Sequence, residues 1–412
     1  MSFETSTSQK KKKVTILGVT GSVGRSTVDV ITSSPGLFDV ETVTAHTNVD
    51  KLAKSAVRLG AKRAVIGDHS LEGKLISLLQ GHSIEVRGGQ DEIISAAADP
   101  ADLIVAAMMG FSGLKPIIAA LEAGTDVAIA NKEPLVAAGE MIMSLSREHG
   151  SRVLPVDSEH NAIFQVFEDH NRNTIERLIL TASGGPFLRR DAQDIYNATP
   201  EQAIAHPNWS MGAKISVDSA TLMNKALEII EAAHLFSMTP DKIDVVVHPQ
   251  SIVHSIVSYK DGSMLAQMGA SDMRTPIASA LAWPARLERG GTILDLVSMS
   301  ADLSFESPDL QRFPSLSYAY KCLELGQGAC IIFNAANEVA VARFLERQIA
   351  FGDIMPCVAH SIDVLYPELV QAGLCESHSL KTVAQIEELD TIARQRTNEY
   401  INGACKTSGK VA

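Results

Sequence analysis

The sequence predicts an α/β protein in three parts: an N-terminal doubly wound parallel sheet, a central α+β domain and a C-terminal helical bundle. Three observations predict it. Short apolar strands alternate with helical stretches through the first 156 residues, a glycine-spaced turn joins the first strand to the first helix, and from about Leu316 the apolar pattern is helical. The 412 residues, 45% hydrophobic and 20% charged, suffice for two or three domains. A net charge of -12 argues against a general nucleic-acid surface, and 5% aromatic content argues against base-stacking platforms. No apolar run approaches a membrane span and no signal peptide is visible, so no membrane partner and a cytoplasmic protein are expected. The cysteines, Cys322, Cys330, Cys357, Cys375 and Cys405, form no C-x-x-C pair and read as reduced structural thiols.

Met1 to Lys13 reads as a solvated tail. Val14–Leu17 is a strand that runs into GVTGSVG at 18–24 and a helix from about Arg25 to Ser33. Strand, glycine turn, helix is the context of a Rossmann-like dinucleotide site, where glycines let the backbone approach a pyrophosphate and the helix N-terminus supplies N–H groups. The spacing is G-x-x-G-x-x-G, a variant, and a tight βα turn without ligand is the alternative. The next strand, Val40–Ala45, ends in His46-Thr47-Asn48. The absence of an acid there favours NADP over NAD, although no Arg or Lys sits at the tip to bind a 2′-phosphate. Further strands are read at Arg63–Ile66, Leu103–Ala107, Val127–Ala130 and Arg152–Val156, with a helix at Leu114–Ala123. Ligands of such sheets lie beyond the carboxyl ends of strands. Asn131, Lys132 and Glu133 occupy one such end, where a merely charged turn is the alternative.

Asp157 and Glu159 follow the last of these strands. In extended chain they would project to one side and repel unless a hard cation such as Mg²⁺ or Mn²⁺ lay between them. A solvated acidic strand end is the alternative. Leu178–Leu180 is a strand leading into TASGGP at 181–186, a turn able to aim backbone N–H groups at an anion. With Ser219, Asn224 and Lys225 it could hold a phosphate monoester; a plain turn is the alternative. The stretch from His206 to Glu231 opens with a loop carrying His206 and Trp209, suited to a flap over a ligand. It ends in a helix with Asn224, Lys225, Glu228 and Glu231 on one side and an apolar set on the other, with Asp218 or Ser219 as its cap. Glu228 and Glu231 could complete a metal site; the alternative is a solvated face. Asp244–Met268 alternates like antiparallel strands with a turn at Lys260–Gly262, and its His248 and His254 read as structural. A helix starts near Pro276, residues 289–315 read as a linker, and Ile331–Leu345 and Leu380–Ile401 are the strongest helices of a three- or four-helix bundle.

In this order the motifs GVTGSVG at 18–24, ANKE at 130–133, LPVDSEHNA at 154–162, TASGGPF at 181–187, His206 through Glu228, MRTP at 273–276 and FNAANE at 333–338 resemble the 1-deoxy-D-xylulose 5-phosphate reductoisomerase family, from about residue 14 to about 400. The resemblance implies an NADPH-binding domain at 14–156, a catalytic domain at 157–288, a linker at 289–315 and a helical domain at 316–412, in a homodimer. It implies rearrangement and NADPH reduction of a phosphorylated sugar substrate, 1-deoxy-D-xylulose 5-phosphate, to 2-C-methyl-D-erythritol 4-phosphate, in non-mevalonate isoprenoid synthesis. By position, Asp157, Glu159 and Glu228 match the family's Mg²⁺ or Mn²⁺ ligands. Ser183, Ser219, Asn224 and Lys225 match its phosphate contacts, and Lys132, Ser158 and His206 its other substrate contacts. Thr20, Gly21, Ser22, Val23, Asn48, Asn131, Glu133 and Gly212 match its NADPH contacts. Lys132, Glu159, His206 and Glu228 are the residues expected to carry the chemistry. One departure stands out: many members have Gly-Lys-Asn where this chain has His46-Thr47-Asn48. Two other readings are a Rossmann-type dehydrogenase for a semialdehyde, which needs no divalent metal, and a non-catalytic NADPH sensor, which has no use for three carboxylates and a phosphate clamp.

Overall fold

The computed structural model describes residues 10–209, 211–297, 302–375 and 380–407. The first nine residues of the expected tail, Ser210 of the expected flap and the side chain of Cys405 lie outside the described residues. In chain order the elements are β1 (Lys12–Leu17), α1 (Ser22–Thr32), β2 (Phe38–Ala45), α2 (Val49–Leu59), β3 (Arg63–Ile66), α3 (Glu72–Leu78), β4 (Glu85–Gly88), α4 (Gln90–Ala98), β5 (Leu103–Ala106), α5 (Leu114–Glu122), β6 (Asp126–Ile129), α6 (Glu133–Glu148) and β7 (Val153–Pro155). Then follow α7 (Ser158–Val166), β8 (Ile175–Ala182), α8 (Ala192–Tyr196), α9 (Pro200–Ile204), α10 (Ala213–Ala220), α11 (Met223–Leu235), β9 (Ile243–Val247), β10 (Val253–Tyr259) and β11 (Met264–Met268). The chain ends in α12 (Arg274–Ala282), α13 (Ser315–Leu325), α14 (Gln327–Leu345), α15 (Ile354–His360), α16 (Tyr366–Gln371) and α17 (Val383–Thr407).

Two compact units result. The first comprises residues up to Asn131, Ile142–Asp157 and Asp272–Thr292. Its seven strands run parallel in the order β4-β3-β2-β1-β5-β6-β7. Six of them, β3-β2-β1-β5-β6-β7, have the order of a dinucleotide-binding fold, with the switch point between β1 and β5. Covered by helices, the central strands are apolar along their length, as in Ile16, Leu17, Ile104, Val105, Val127 and Ile129. β1 starts at Lys12, inside the stretch expected as tail, because Lys12 Nζ donates to Leu281 O at 3.0 Å and the Lys13 N–H to Asp102 at 2.7 Å. The edge strand β4 is short and carries Glu85 and Arg87, which hid it from an apolar pattern.

Residues 272–292 belong to this first unit, not to the expected 157–288 domain. α12 packs on α1 and β7, the Arg152 guanidinium lies 4.5 Å over the Trp283 ring, and Asp272 gathers Arg274 and Thr292. Those hydrogen bonds hold the Asp272 carboxyl far below the usual range despite its partial burial.

The second unit comprises Lys132–Met141, Ser158–Ser271 and the chain from Ile293 onward. Its sheet has the order β11-β10-β8-β9. β10 runs antiparallel to β8 and β11, as the expected hairpin requires, but β9 pairs parallel with β8. The expected antiparallel set is corrected there: α8 to α11 intervene between β8 and β9 and return the chain in the same direction. α7 covers β10 and β11, and α11 packs between the sheet and α13. α14 is central to the bundle α13 to α17. By length and composition α14 could cross a membrane, but 78% of its apolar window is buried, so its apolarity fills the core.

Candidate functional site

The polar side of α11 is not a solvated face. Lys225 is 3% exposed, Glu228 0% and Glu231 1%. Buried charges must be paired, and these are. Lys225 Nζ donates to Glu159 Oε1 at 2.9 Å and to Glu228 Oε2. Lys132 Nζ, itself buried, donates to Glu228 Oε1 at 3.0 Å and to Asn224 Oδ1 at 2.8 Å. Asn224 Nδ2 donates to Glu228 Oε1 at 2.5 Å, and Ser158 Oγ to Glu159 Oε2 at 2.5 Å. Burial pushes the Lys225 ammonium down, but Glu159 and Glu228 outweigh it and hold its pKa above the usual lysine value. Within this unit, six expected site residues therefore share one cluster: Lys132, Ser158, Glu159, Asn224, Lys225 and Glu228.

The routes to this cluster differ from the sequence reading in two places. Glu159 does not stand on extended chain. Ser158 opens α7, so Asp157, which ends the 142–157 segment of the first unit, precedes a helix and Glu159 lies in its first turn. Asp218 and Ser219 do not cap α11. They lie in α10, and Leu222, at φ 55, makes the sharp break before α11. Helix propensity carried no sign of this break, because Leu is an unusual left-handed residue. Glu231 turns elsewhere: its Oε2 lies 3.2 Å from His160 Nδ1, while His160 Nε2 meets the Glu228 carbonyl at 3.0 Å. Glu231 thus faces His160 of α7.

A second group forms around the Ser-Gly-Gly turn. Gly184 and Gly185 have φ of 82 and 67, and a Cβ on Gly185 would lie 2.6 Å from the Ser219 carbonyl. Only glycine allows this close seating of the turn on the end of α10, which places Ser183 and Ser219 in one neighbourhood. His206 Nδ1 accepts the N–H groups of Asn208 at 3.2 Å and Trp209 at 3.0 Å. The ring proton is thereby assigned to Nε2, which donates to Ser183 Oγ at 2.8 Å. Burial lowers the His206 pKa, partly offset by Glu159, so the ring is a neutral donor. The loop is tied down by Asn208 Nδ2, which donates to Pro249 O at 2.7 Å and Ser251 Oγ at 3.1 Å.

His254, expected to be structural, is brought by the fold to the flap residue Trp209. It is 7% exposed on β10, its ring is 6.2 Å from Trp209, and burial lowers its pKa against the pull of Glu159. No local spacing could have marked it, since its partners come from distant parts of the chain.

Glu133, 2.9 Å from Lys214 Nζ, and Asp218, at 2.9 Å from the same nitrogen, clamp α10 to the start of α6. Burial raises the Glu133 pKa, but Lys214 reverses the shift and holds the carboxyl below its usual value. Gly212 stands at the N-cap of α10. The remaining expected cofactor residues lie in the first unit. Thr20 and Gly21 lie in the turn between β1 and α1, Ser22 and Val23 open α1, Asn48 caps α2, and Asn131 follows β6. A Cβ on Gly18 would meet Ala107 O at 2.5 Å, and one on Gly24 would meet Gly18 O at 2.3 Å, so the turn has no room for side chains. No side chain caps α1, leaving its first N–H groups for an anion.

Models of the family match three stretches: 1-deoxy-D-xylulose 5-phosphate reductoisomerase at 14–139, its C-terminal domain at 153–236, and a DXP reductoisomerase C-terminal domain at 268–396. The chain is 50% identical to 1-deoxy-D-xylulose 5-phosphate reductoisomerase of Zymomonas mobilis, over 86% of this chain and 92% of that protein. It is 49% identical to the enzyme of Afipia carboxidovorans, over 91% of this chain and 94% of the relative. Among solved structures, the Zymomonas mobilis enzyme in complex with NADPH superposes with a TM-score of 0.88 at 44% identity, over 95% of this chain and 99% of that one. DOX-P reductoisomerase in complex with NADPH, fosmidomycin and magnesium superposes with a TM-score of 0.90 at 38% identity, over 97% and 100%.

Proposed function

We infer that this chain, which belongs to the 1-deoxy-D-xylulose 5-phosphate reductoisomerase family, centres its chemistry on the buried charges of α11. Its reaction is the NADPH- and divalent-metal-dependent rearrangement and reduction of 1-deoxy-D-xylulose 5-phosphate to 2-C-methyl-D-erythritol 4-phosphate. One observation carries the site assignment: Glu159 and Glu228 close from two helices on a single positive charge, the ammonium of Lys225. Two hard oxygen donors turned toward one cation are the core of a Mg²⁺ or Mn²⁺ site, and Asp157, directly before α7, is the third ligand in our reading. When bound, the ion polarises the substrate's neighbouring hydroxyl and carbonyl oxygens, and NADPH supplies the hydride.

The chain's own residues do the rest. Lys132 and Asn224 hold one oxygen of Glu228, and Ser158 holds one oxygen of Glu159, so both carboxylates are aimed before substrate arrives. Ser183, Ser219, Asn224 and Lys225 bind the phosphate, a remote anchor whose binding energy positions the reacting end. His206, neutral with its one ring proton on Nε2, moves that bond from Ser183 Oγ to the substrate when it binds, and the loop that His206 opens excludes water. Lys214 holds the carboxyl of Glu133, which this reading assigns to the cofactor.

The same reading makes the enzyme a cytoplasmic homodimer. Its support is β11, an edge strand with Met264 55%, Leu265 39% and Met268 37% exposed, an uncovered apolar edge of the kind that pairs with another chain.

Electron paramagnetic resonance of added Mn²⁺ tests the ligand assignment. Wild-type protein should bind the ion, and Glu159→Gln and Glu228→Gln should each release it. Undiminished binding in both variants would place the metal elsewhere.

A further inference from the structure

NADPH differs from NADH by a 2′-phosphate, which requires cations, and the end of β2 offers none. Of the three residues that follow β2, Asn48 is committed as a cap, its Oδ1 accepting the Lys51 N–H at 3.2 Å. His46 turns toward the end of β3. A Cβ on Gly67 would lie 2.8 Å from its Nδ1. Thr47 carries no charge.

Cations gather a short distance away. A cleft of about 320 Å³ is lined by Thr20 of the glycine turn, by Arg25 and Asp29 of α1, and by Lys51, Lys54 and Arg58 of α2. Four bases and one acid face it in a protein of net charge -12, so the local excess runs against the whole molecule. The one acid is occupied, since Asp29 pairs with Arg58 at 3.0 Å. Lys51 is exposed in the first turn of α2, where the helix dipole favours an anion, and makes no ion pair among the described residues. Arg25 is tethered to the glycine turn, its Nη1 donating to Thr20 O at 3.0 Å, with the rest of its fork available for a second bond.

We propose that this cleft receives the 2′-phosphate of NADPH, with Lys51 and Arg25 as its ligands, replacing the cation missing from the end of β2. The proposal rests on the reading that the glycine turn of the first unit holds the cofactor.

The test is fluorescence-detected binding of NADPH and of NADH to the full chain. Wild type, Lys51→Ala, Arg25→Ala, His46→Ala and the control Lys62→Ala, which precedes β3 and pairs with Glu41, are compared, with circular dichroism as the check on folding. Lys51→Ala and Arg25→Ala should each weaken NADPH at least about tenfold and NADH less than about twofold. Lys51→Arg should restore the preference, and 2′-AMP should compete with NADPH in the wild type but poorly in the two alanine variants. An unchanged NADPH-to-NADH ratio in both, or a loss of preference in His46→Ala alone, would overturn the proposal while leaving the cofactor site standing. A wild-type protein that binds neither dinucleotide would remove the cofactor reading and this proposal with it.

Discussion

Glu228 accepts hydrogen bonds from Lys132, Asn224 and Lys225 while fully buried, so its charge holds two lysines in place. Glu228→Gln keeps the shape and removes the charge. Steady-state assays should show metal-dependent turnover falling at least about 100-fold, or about 2.7 kcal/mol of barrier, and near-normal activity would sink the metal assignment. Lys225→Ala should lower kcat/KM far more than it weakens NADPH; a collapse of NADPH binding would instead put Lys225 in the cofactor site. His234, in the last turn of α11, gives a pH signature. Burial lowers its pKa to about 4 from 6.5, so the unfolded chain takes up a proton that the folded chain refuses. Its share of stability is complete above pH 6.5 and is lost as pH falls toward 4, with a ceiling of about 3 kcal/mol that its partial exposure reduces. Urea unfolding at pH 7.5 and pH 5 should therefore show a larger acid loss in wild type than in His234→Gln; equal losses would contradict the assignment. At this scale Lys225 and Glu228 were legible, because helical spacing put them on one side of α11. His254 was not, because only the fold brings it to Trp209.

Among the elements, the turn at 183–185 and the break before α11 set the positions of Ser183, Ser219 and Asn224. Gly185→Ala combines a positive φ, worth about 1–2 kcal/mol against a non-glycine residue, with a Cβ 2.6 Å from the Ser219 carbonyl. It should lower Tm and raise KM for the phosphorylated substrate together; a normal KM would separate the turn from the phosphate site. Strand runs and the glycine turn showed in the sequence, since period and composition mark them. The break at Leu222 and the parallel pairing of β9 with β8 did not. The first is a local conformation that Leu rarely adopts, and the second depends on where four intervening helices carry the chain. The helical start at Ser158 was also hidden, because Asp157-Ser158-Glu159 suits a strand end and a helix first turn equally.

For the whole molecule, the chain passes between its two units more than once, with α6 beginning in the second and α12 returning to the first. A linear reading of domains could not show that, since residues 272–292 have no composition of their own. The exposed edge of β11 predicts association: sedimentation should find a dimer at micromolar concentration, and Leu265→Asp should shift it toward monomer, whereas a monomeric wild type would dismiss this edge as an interface. The most direct test of the central claim is NADPH absorbance after adding 1-deoxy-D-xylulose 5-phosphate and Mg²⁺, with EDTA and NADH run in parallel. Oxidation of NADPH that EDTA abolishes, with a slower NADH trace, is the predicted result. A folded, NADPH-binding protein that oxidises nothing, or one indifferent to EDTA, would contradict it.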